Sequence, residues 1–323
     1  MLLAIPCLLF LASRAQDANR ESIVLSNDGI LFATTYESGA VEVYDIATGK
    51  RMFEIKGAKK YEYSIRTRSL SFSPDNKYLA IAPGWNAPTS VMDIATGKLV
   101  TTVELGDKAI FTGTGKLVTI KEKQMNIYSS NGFTKEKSIT LPDIVSDDAN
   151  PCTVDATSDK IIVPLFYSDY VIIDAATGDV VTSHKEETKE KIASIQVSMD
   201  ASSVITCTKS LLKIFSIKTD ALRFKLPIES LGFTIPKACL TERNMLYTGS
   251  LDGENVRCIN INTGLVSDRE SIVFGPSSGS KRGFYFAPRS GMCAISYAKP
   301  YKKKAPFAFM NVITRESPRT YLE

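Results

Sequence analysis

The side chains that could carry acid–base or metal chemistry are few in this sequence. The chain of 323 residues contains one histidine, His184. A serine–histidine–carboxylate set would have to use this residue, and a centre with several histidine ligands is impossible. His184 lies in the charged stretch TSHKEETKEK, which predicts an exposed loop. We therefore expect His184 to titrate in solvent, and we predict a protein that is not an enzyme and has no catalytic residues.

One loop carries oxygen ligands of the kind that calcium prefers. Asp143, Asp147, Asp148 and Asn150 lie in the segment LPDIVSDDANPC. Their spacing matches neither an EF-hand nor a calcium-binding nonapeptide. We therefore predict no metal site in this chain and no bound cofactor.

The six cysteines predict neither a disulfide framework nor a zinc site. None of them forms a C-x-x-C pair. Cys207, Cys258 and Cys293 lie in apolar runs, where a free cysteine behaves as a small hydrophobic residue.

Aromatic and basic residues on two loops have the composition of a partner-binding surface. The loops are GAKKYEYSIR, residues 57–66, and PGWNAP, residues 83–88. Tryptophan, tyrosine and arginine are the residue types most enriched at binding hot spots. The sequence therefore predicts a partner-binding patch, for another protein or a peptide, made of Tyr61, Tyr63, Arg66, Trp85 and Asn86. The alternative is that Trp85, the only tryptophan, packs on its own scaffold.

These residues must be held by a scaffold, and the sequence describes that scaffold as a repeat. Near-copies of one segment occur as VYDIATGKRM, VMDIATGKLV, IIDAATGDVV and CININTGLV. Seven turn positions mark the repeat at intervals of 35 to 51 residues: Gly49, Gly97, Gly132, Gly178, Asp220, Gly264 and Arg315. A period of about 40–50 residues is typical of β-propeller blades.

Within each unit the sequence predicts four short antiparallel strands. Turn residues such as FSPDN and DIATGK separate apolar runs such as YLAIAP and KIIVPLFY. These runs are continuous rather than alternating, which favours sheets that are buried on both faces. The predicted fold is all-β: one propeller of seven four-stranded blades over residues 16–323, with RTYLE as the last blade's own fourth strand.

The segment SFSPDNKYLAIAP, followed by SVMDIATGKLV, resembles the WD40 and YVTN-type β-propeller repeats. The resemblance extends from Ser22 to the C-terminus. The glycine–histidine step of WD40 units is absent, and Tyr44, Met92 and Ile173 stand where those units have tryptophan before aspartate. This divergent match implies a non-catalytic protein-interaction platform. The alternatives are an enzyme or cofactor-binding propeller of lactonase or quinoprotein type, and a propeller associated with RNA or ribosomes.

The resemblance also implies where partners bind. Turns such as LSNDG and DIATGK fall on one face of the ring. The segments between units and the loops between second and third strands fall on the other, where propellers usually bind partners. Residues 57–66, 83–88, 141–152, 167–169 and 184–191 belong to this second set.

Charge and the N-terminus bear on the partner and the compartment. The formal net charge of +4 and the pI of about 8.6 are too mild to favour a nucleic-acid partner. Residues 1–15 form an uncharged leucine-rich stretch ending in small residues, and we expect a signal peptide there, which implies a secreted or periplasmic protein. The alternative is a cytoplasmic protein in which this stretch is a buried strand. Thirteen apolar residues are too few for a transmembrane segment.

Overall fold

The computed structural model describes residues 20–36, 40–55, 69–83, 87–146, 149–186, 190–231, 237–249, 255–266, 272–273, 281–287, 290, 292–297 and 307–311. Outside them lie the expected signal peptide, which stays a prediction, the segment RTYLE, and the predicted contact residues Tyr61, Tyr63, Arg66, Trp85 and Asn86.

Seven antiparallel sheets follow one another along the chain, and we call each sheet a blade. Blade 1 contains β1 (Arg20–Leu25), β2 (Leu31–Tyr36), β3 (Val41–Asp45) and β4 (Arg51–Ile55). Blade 2 contains β5 (Ser69–Phe72), β6 (Tyr78–Ala82), β7 (Pro88–Asp93) and β8 (Leu99–Leu105). Blade 3 contains β9 (Lys108–Phe111), β10 (Leu117–Lys121), β11 (Gln124–Tyr128) and β12 (Lys135–Thr140).

Blade 4 contains β13 (Cys152–Thr153), β14 (Lys160–Pro164), β15 (Tyr170–Asp174) and β16 (Asp179–His184), with the 3-10 turn η1 (Phe166–Ser168). Blade 5 contains β17 (Ser194–Val197), β18 (Ser203–Cys207), β19 (Leu211–Ser216) and β20 (Leu222–Pro227), followed by η2 (Ile228–Leu231). Blade 6 contains β21 (Lys237–Leu240), β22 (Met245–Gly249), β23 (Asn255–Asn260) and β24 (Ile272–Val273). Blade 7 contains β25 (Lys281–Phe286), β26 (Met292–Tyr297) and β27 (Phe307–Asn311). The predicted all-β, seven-bladed architecture is confirmed.

The repeated segment is the turn between the third and fourth strands of a blade. In blade 1, Asp45 Oδ1 accepts hydrogen bonds from the backbone N–H and the hydroxyl of Thr48, each at 2.7 Å. Gly49 then adopts a φ of 66°, a left-handed conformation that glycine reaches without steric strain. Asp93, Thr96 and Gly97 repeat this arrangement in blade 2.

The turn between the first and second strands has its own repeated bond. The hydroxyl of Ser73 donates to Asp75 Oδ1 at 2.6 Å, and the hydroxyl of Ser198 donates to Asp200 Oδ1 at 2.5 Å. Each carboxylate also accepts a backbone N–H two residues later, so it closes the turn from both sides.

Blades 3 and 5 carry a side chain where blades 1, 2, 4 and 6 carry the left-handed glycine. The position marked as Gly132 in the sequence is one residue early: Ser129 N donates to Thr134 O, which makes Phe133, with a φ of 53°, the equivalent of Gly49. In blade 5 the equivalent residue is Asp220, with a φ of 55°. The backbone of both residues is strained, so we expect the contacts of each side chain to stabilise this conformation.

The core lies between the blades, in layers that each belong to two of them. Apolar clusters join blades 1 and 2, 2 and 3, 3 and 4, 4 and 5, and 5 and 6. A further cluster joins blade 1, through Ile23 and Phe32, to Ala287 and Ala294 at blade 7, and closes the ring. The continuous apolar runs are thus explained, because an inner strand such as β14 is covered on both sides. No described helix is long and apolar enough to cross a membrane.

Candidate functional site

A cavity of about 220 Å³ lies at the centre of the ring, between the innermost strands of blades 1 to 5 and Phe286 of blade 7. Its polar lining is neutral and comes from side chains such as Ser71, Asn150 and Gln196. Cys152 is the one titratable side chain among the described lining residues, and burial raises its pKa to about 12. The thiol is therefore protonated at neutral pH and not nucleophilic. The described part of the lining can bind a neutral polar group, and none of its side chains is suited to acid–base catalysis at neutral pH.

The two faces of the ring carry different kinds of loop. Because successive strands are antiparallel, the two repeated turns of each blade emerge on one face, and Ile46 N donates to Ile30 O across them at 2.8 Å. The opposite face, which we call the connector face, carries the segments between blades and the loops between second and third strands.

The connector face holds the two strained residues that the repeat does not explain. Among described non-glycine residues with positive φ, five occupy the repeated turns: Asn76, Phe133, Ala201, Asp220 and Asn244. The other two are Glu122, with a φ of 53°, and Tyr167, with a φ of 67°. A bulky side chain rarely adopts this conformation, and such outliers concentrate at functional sites.

Tyr167 belongs to an exposed group that we call the blade-4 patch: Ile144, Phe166, Tyr167 and Lys191. Phe166 N donates to Ile144 O at 2.9 Å, which joins the loop after β14 to the segment between blades 3 and 4. The rings of Phe166 and Tyr167 meet edge to face at 4.5 Å, and the Lys191 ammonium lies 4.5 Å from the Phe166 ring centre. Ile144 and Tyr167 are 47% and 46% exposed. The patch thus presents aliphatic, aromatic and cationic groups together.

The segment under Ile144 is fixed from both sides. Val145 N donates to Glu122 O at 3.3 Å, and Leu141 N donates to Lys123 O at 2.7 Å. The Lys123 ammonium lies 3.4 Å from Asp143 Oδ1. The backbone of the patch is therefore anchored to blade 3 as well as blade 4.

The expectation that His184 lies in an exposed loop is wrong. His184 is the last residue of β16, its side chain is only 7% exposed, and its ring stacks on Tyr170 with a centroid distance of 4.6 Å. Phe215 of blade 5 packs on the same ring at 4.3 Å. The charged residues that suggested a loop begin only after the strand ends, at Lys185.

His184 is the centre of a polar network between blades 4 and 5. Its Nδ1 lies 2.8 and 2.9 Å from the two carboxylate oxygens of Asp220, and its Nε2 lies 3.3 Å from Glu186 Oε1. Glu186 forms an ion pair with Lys213, and the Tyr170 hydroxyl donates to Asp220 Oδ1 at 2.9 Å. None of these residues lines the central cavity, and the groups satisfy one another. We therefore interpret the network as a clamp between blades.

Tyr170 remains a hydrogen-bond donor in this network. Burial, together with the charges of Asp220 and Glu186, raises the pKa of its hydroxyl above the usual range. It cannot ionise near neutral pH, so it serves to hold the Asp220 carboxylate.

Two described residues of the oxygen-rich loop are bonded to lysines of their own chain. Asp147 and Asp148 lie outside the described residues. Asp143 faces Lys123, and Asn150 Oδ1 accepts a hydrogen bond from Lys108 Nζ at 3.0 Å. No group of potential metal ligands occurs among the described residues.

The cysteines behave as expected from their apolar surroundings. Cys207, Cys239, Cys258 and Cys293 are buried, and Cys152 is partly buried. Burial raises the pKa of Cys207 and of Cys239 to about 12. These thiols contribute packing rather than chemistry.

The sequence predicts residues 167–169 among the partner-facing loops, but it does not single out the blade-4 patch. Its predicted contact residues are Trp85 and the neighbouring Tyr61, Tyr63, Arg66 and Asn86. The adjacent aromatic pair Phe166 and Tyr167, between two apolar strands, was the available signal. The sequence does not predict the left-handed backbone of Tyr167, because that conformation is usually indicated by a glycine or an asparagine and this position has neither.

Comparisons with known proteins bear on the fold. No protein-family model matches the chain, and neither does any curated protein. Among solved structures, the β-propeller domain of Cps50 (Swd1) from Myceliophteria thermophila aligns with a TM-score of 0.66 at 14% identity, covering 88% of this chain and 94% of that one. The WD40 repeats of RRP9 align with a TM-score of 0.67 at 11% identity, covering 87% and 88%.

An enzyme is also among the similar structures. Hydrazine synthase from Kuenenia stuttgartiensis aligns with a TM-score of 0.65 at 14% identity, covering 85% of this chain and 91% of that one. Identities this low show a shared fold and leave the function open. Taken with the seven blades and the repeated turns, they show that this chain is a divergent β-propeller with the fold of WD40 domains.

Proposed function

We propose that this protein is a non-catalytic binding platform that holds another protein or a peptide on its connector face. The observation that carries the proposal is Tyr167, whose ring is about half exposed on a left-handed backbone. Such a conformation costs about 1–3 kcal/mol. A ring that stays in water recovers little of this cost within its own chain. A partner that covers the ring would offset it, as aromatic anchors do at interface centres.

The central cavity supports binding rather than catalysis. A lactonase-like or quinoprotein-like propeller would need carboxylates, histidines or metal ligands that converge on the channel. The described lining offers neutral side chains and the protonated thiol of Cys152. The cluster of ionisable groups around His184 lies between blades 4 and 5, and its members satisfy one another.

The sequence predicts the loops at 57–66 and 83–88 on the same face, and their contact residues lie outside the described part of the chain. The contact patch at Tyr61, Tyr63, Arg66, Trp85 and Asn86 therefore stays a prediction that is compatible with this proposal. A partner that spans blades 1 to 4 would touch both regions.

Affinity purification from the native source tests the proposal. Tagged wild-type protein is compared with Ile144→Ser, which removes an apolar side chain from the connector face. Val181→Ser is the matched control, because Val181 is similarly exposed, at 51%, on the outer strand of the same blade. We expect a stoichiometric protein that Ile144→Ser loses and Val181→Ser retains, as quantified by mass spectrometry.

Other outcomes would contradict the proposal. If both variants retain the same partner, the connector face of blade 4 is not the contact. Partner recovery that ribonuclease abolishes would favour the RNA alternative. Turnover of a small molecule by the purified protein would favour an enzyme.

A further inference from the structure

We infer that the blade-4 patch recognises an acidic peptide with an apolar side chain beside its carboxylates. The inference rests on the proposed binding function and adds the chemistry of the partner. It depends on which charges around Ile144, Phe166, Tyr167 and Lys191 are already engaged within the chain.

Two carboxylates that border the patch, those of Asp143 and Asp169, are engaged by donors of their own chain. Asp143 Oδ1 accepts the backbone N–H of Ile144 at 2.7 Å and faces the Lys123 ammonium at 3.4 Å. Asp169 Oδ1 accepts the backbone N–H of Glu186 at 2.8 Å. Asp143 is therefore paired with a cation, and Asp169 is held by a backbone donor of its own chain.

Two further carboxylates next to the patch are held in the same way. Glu186 lies between His184 and the Lys213 ammonium. Glu190 Oε2 accepts the hydroxyls of Thr208 and Ser210 at 2.5 and 2.7 Å. These hydroxyl hydrogen bonds lower the pKa of Glu190, so its charge persists but is bound to the protein's own donors.

The cation of the patch is not engaged in this way. Lys191 is exposed and forms no ion pair with another described residue. It lies instead over the ring of Phe166. An approaching ligand therefore meets an ammonium group that no described carboxylate pairs with, which favours a carboxylate on the ligand.

The apolar part of the patch sets the second requirement. Ile144 and Tyr167 are both about half exposed, and burying them gives affinity only if the partner supplies an apolar surface. One lysine is too few for a polyanion such as RNA, whose binding draws on many phosphate contacts. A short extended peptide with acidic and aliphatic or aromatic residues meets both requirements.

The test is selection from a displayed library of random peptides on the full-length protein. We expect the selected peptides to be enriched in aspartate or glutamate next to leucine, isoleucine or phenylalanine. Their affinity is then measured by fluorescence anisotropy. Tyr167→Asn and Lys191→Gln should each weaken it about tenfold or more, whereas Val181→Ser should leave it unchanged.

Salt provides a readout that a structural role would not move. Wild-type affinity should fall between about 50 and about 300 mM salt, and the fall should be smaller in Lys191→Gln.

If the selected peptides are basic or neutral, or indifferent to the patch variants, the inference is overturned while the platform function stands. If no peptide is selected but the native partner still depends on Ile144, a short acidic peptide is likewise excluded. If neither peptide nor native partner binds, the proposed function fails as well.

Discussion

The Asp220 carboxylate reaches from the last turn of blade 5 to within 2.8 Å of His184 Nδ1 on blade 4. Asp220 occupies the left-handed turn position that Gly97 and Gly178 hold in their own blades, and a Cβ at either of those glycines would press on the outer strand of the preceding blade. The side chain at this position therefore points at the neighbouring blade. In blade 5 that direction is used to form a hydrogen bond.

The clamp between Asp220 and His184 should be measurable as a coupling energy. Asp220→Asn keeps a residue that tolerates the left-handed backbone and removes the charge. We expect the free energy of unfolding to fall by about 1–2 kcal/mol, because His184 and Tyr170 lose a charged acceptor. Urea denaturation of Asp220→Asn, His184→Gln and the double variant gives the pairwise term. Additivity of the two single effects would mean that the pair is not coupled.

Phe133 should be a structural residue despite its left-handed backbone. Its ring is buried, with centroids 5.3 Å from Tyr78 and 6.1 Å from Phe111. Phe133→Asn keeps the backbone conformation accessible but removes this packing. We expect the free energy of unfolding to fall by about 3–5 kcal/mol in chemical denaturation. A loss below about 1 kcal/mol would show that the contact contributes little.

Tyr167→Asn makes the same backbone-tolerant change at an exposed ring, and the result should differ. The strain of the left-handed conformation is relieved and little packing is lost. We expect the free energy of unfolding to stay within about 1 kcal/mol of wild type, on the stabilising side. Scanning calorimetry of Tyr167→Asn and Phe133→Asn under the same conditions compares their stabilities directly. A large destabilisation would make Tyr167 structural and remove the support for the blade-4 patch.

The turn aspartates should set the acid limit of stability. Burial alone would raise the pKa of Asp75 and of Asp200, but hydrogen bonds from Ser73, Ser198 and backbone N–H groups lower both below the ordinary value. A depressed pKa adds stability that is complete above the unfolded pKa, about 3.9, and is lost as the pH falls through the folded pKa. We therefore expect the Tm to fall below about pH 4.

The double variant Asp75→Asn, Asp200→Asn isolates this contribution. Its Tm should be lower than wild type at neutral pH and should approach wild type in acid, because protonation removes the same interactions from the wild type. Thermal melts across the acid range provide the measurement. An unchanged difference in Tm at all pH values would assign the acid loss to other groups.

The architecture was predictable because it is specified by turns. DIATGK and FSPDN place glycine, aspartate and threonine where left-handed backbones and side-chain hydrogen bonds require them, so the copies survive while strands diverge. The predicted turn position in blade 3, Gly132, is wrong by one residue. The equivalent of Gly49 is Phe133, and no residue type in the sequence indicates that a phenylalanine adopts the left-handed conformation. The deviation became visible only through the bond from Ser129 N to Thr134 O.

The candidate site was less predictable, because it depends on contacts between distant segments. His184 was expected to be exposed from its charged neighbours, but Tyr170 and Phe215, from different strands, enclose its ring. The patch around Tyr167 forms where the segment between blades 3 and 4 bonds to the loop after β14. Such contacts follow from the closed ring and leave no periodic pattern in the sequence.

The side chain at the left-handed position of the turn before the fourth strand favours one order of the blades around the ring. Near-identical repeats could in principle be interchanged, and their sheets would still pair correctly within themselves. Phe133 fits against Tyr78 of blade 2, whereas Asp220 requires the histidine of blade 4. A chain in which blades 3 and 5 were exchanged would place a carboxylate against aromatic rings and a phenyl ring against an imidazole that lacks its acceptor. In these two blades, the residue at the left-handed turn position thus makes a contact that only one neighbouring blade can accept.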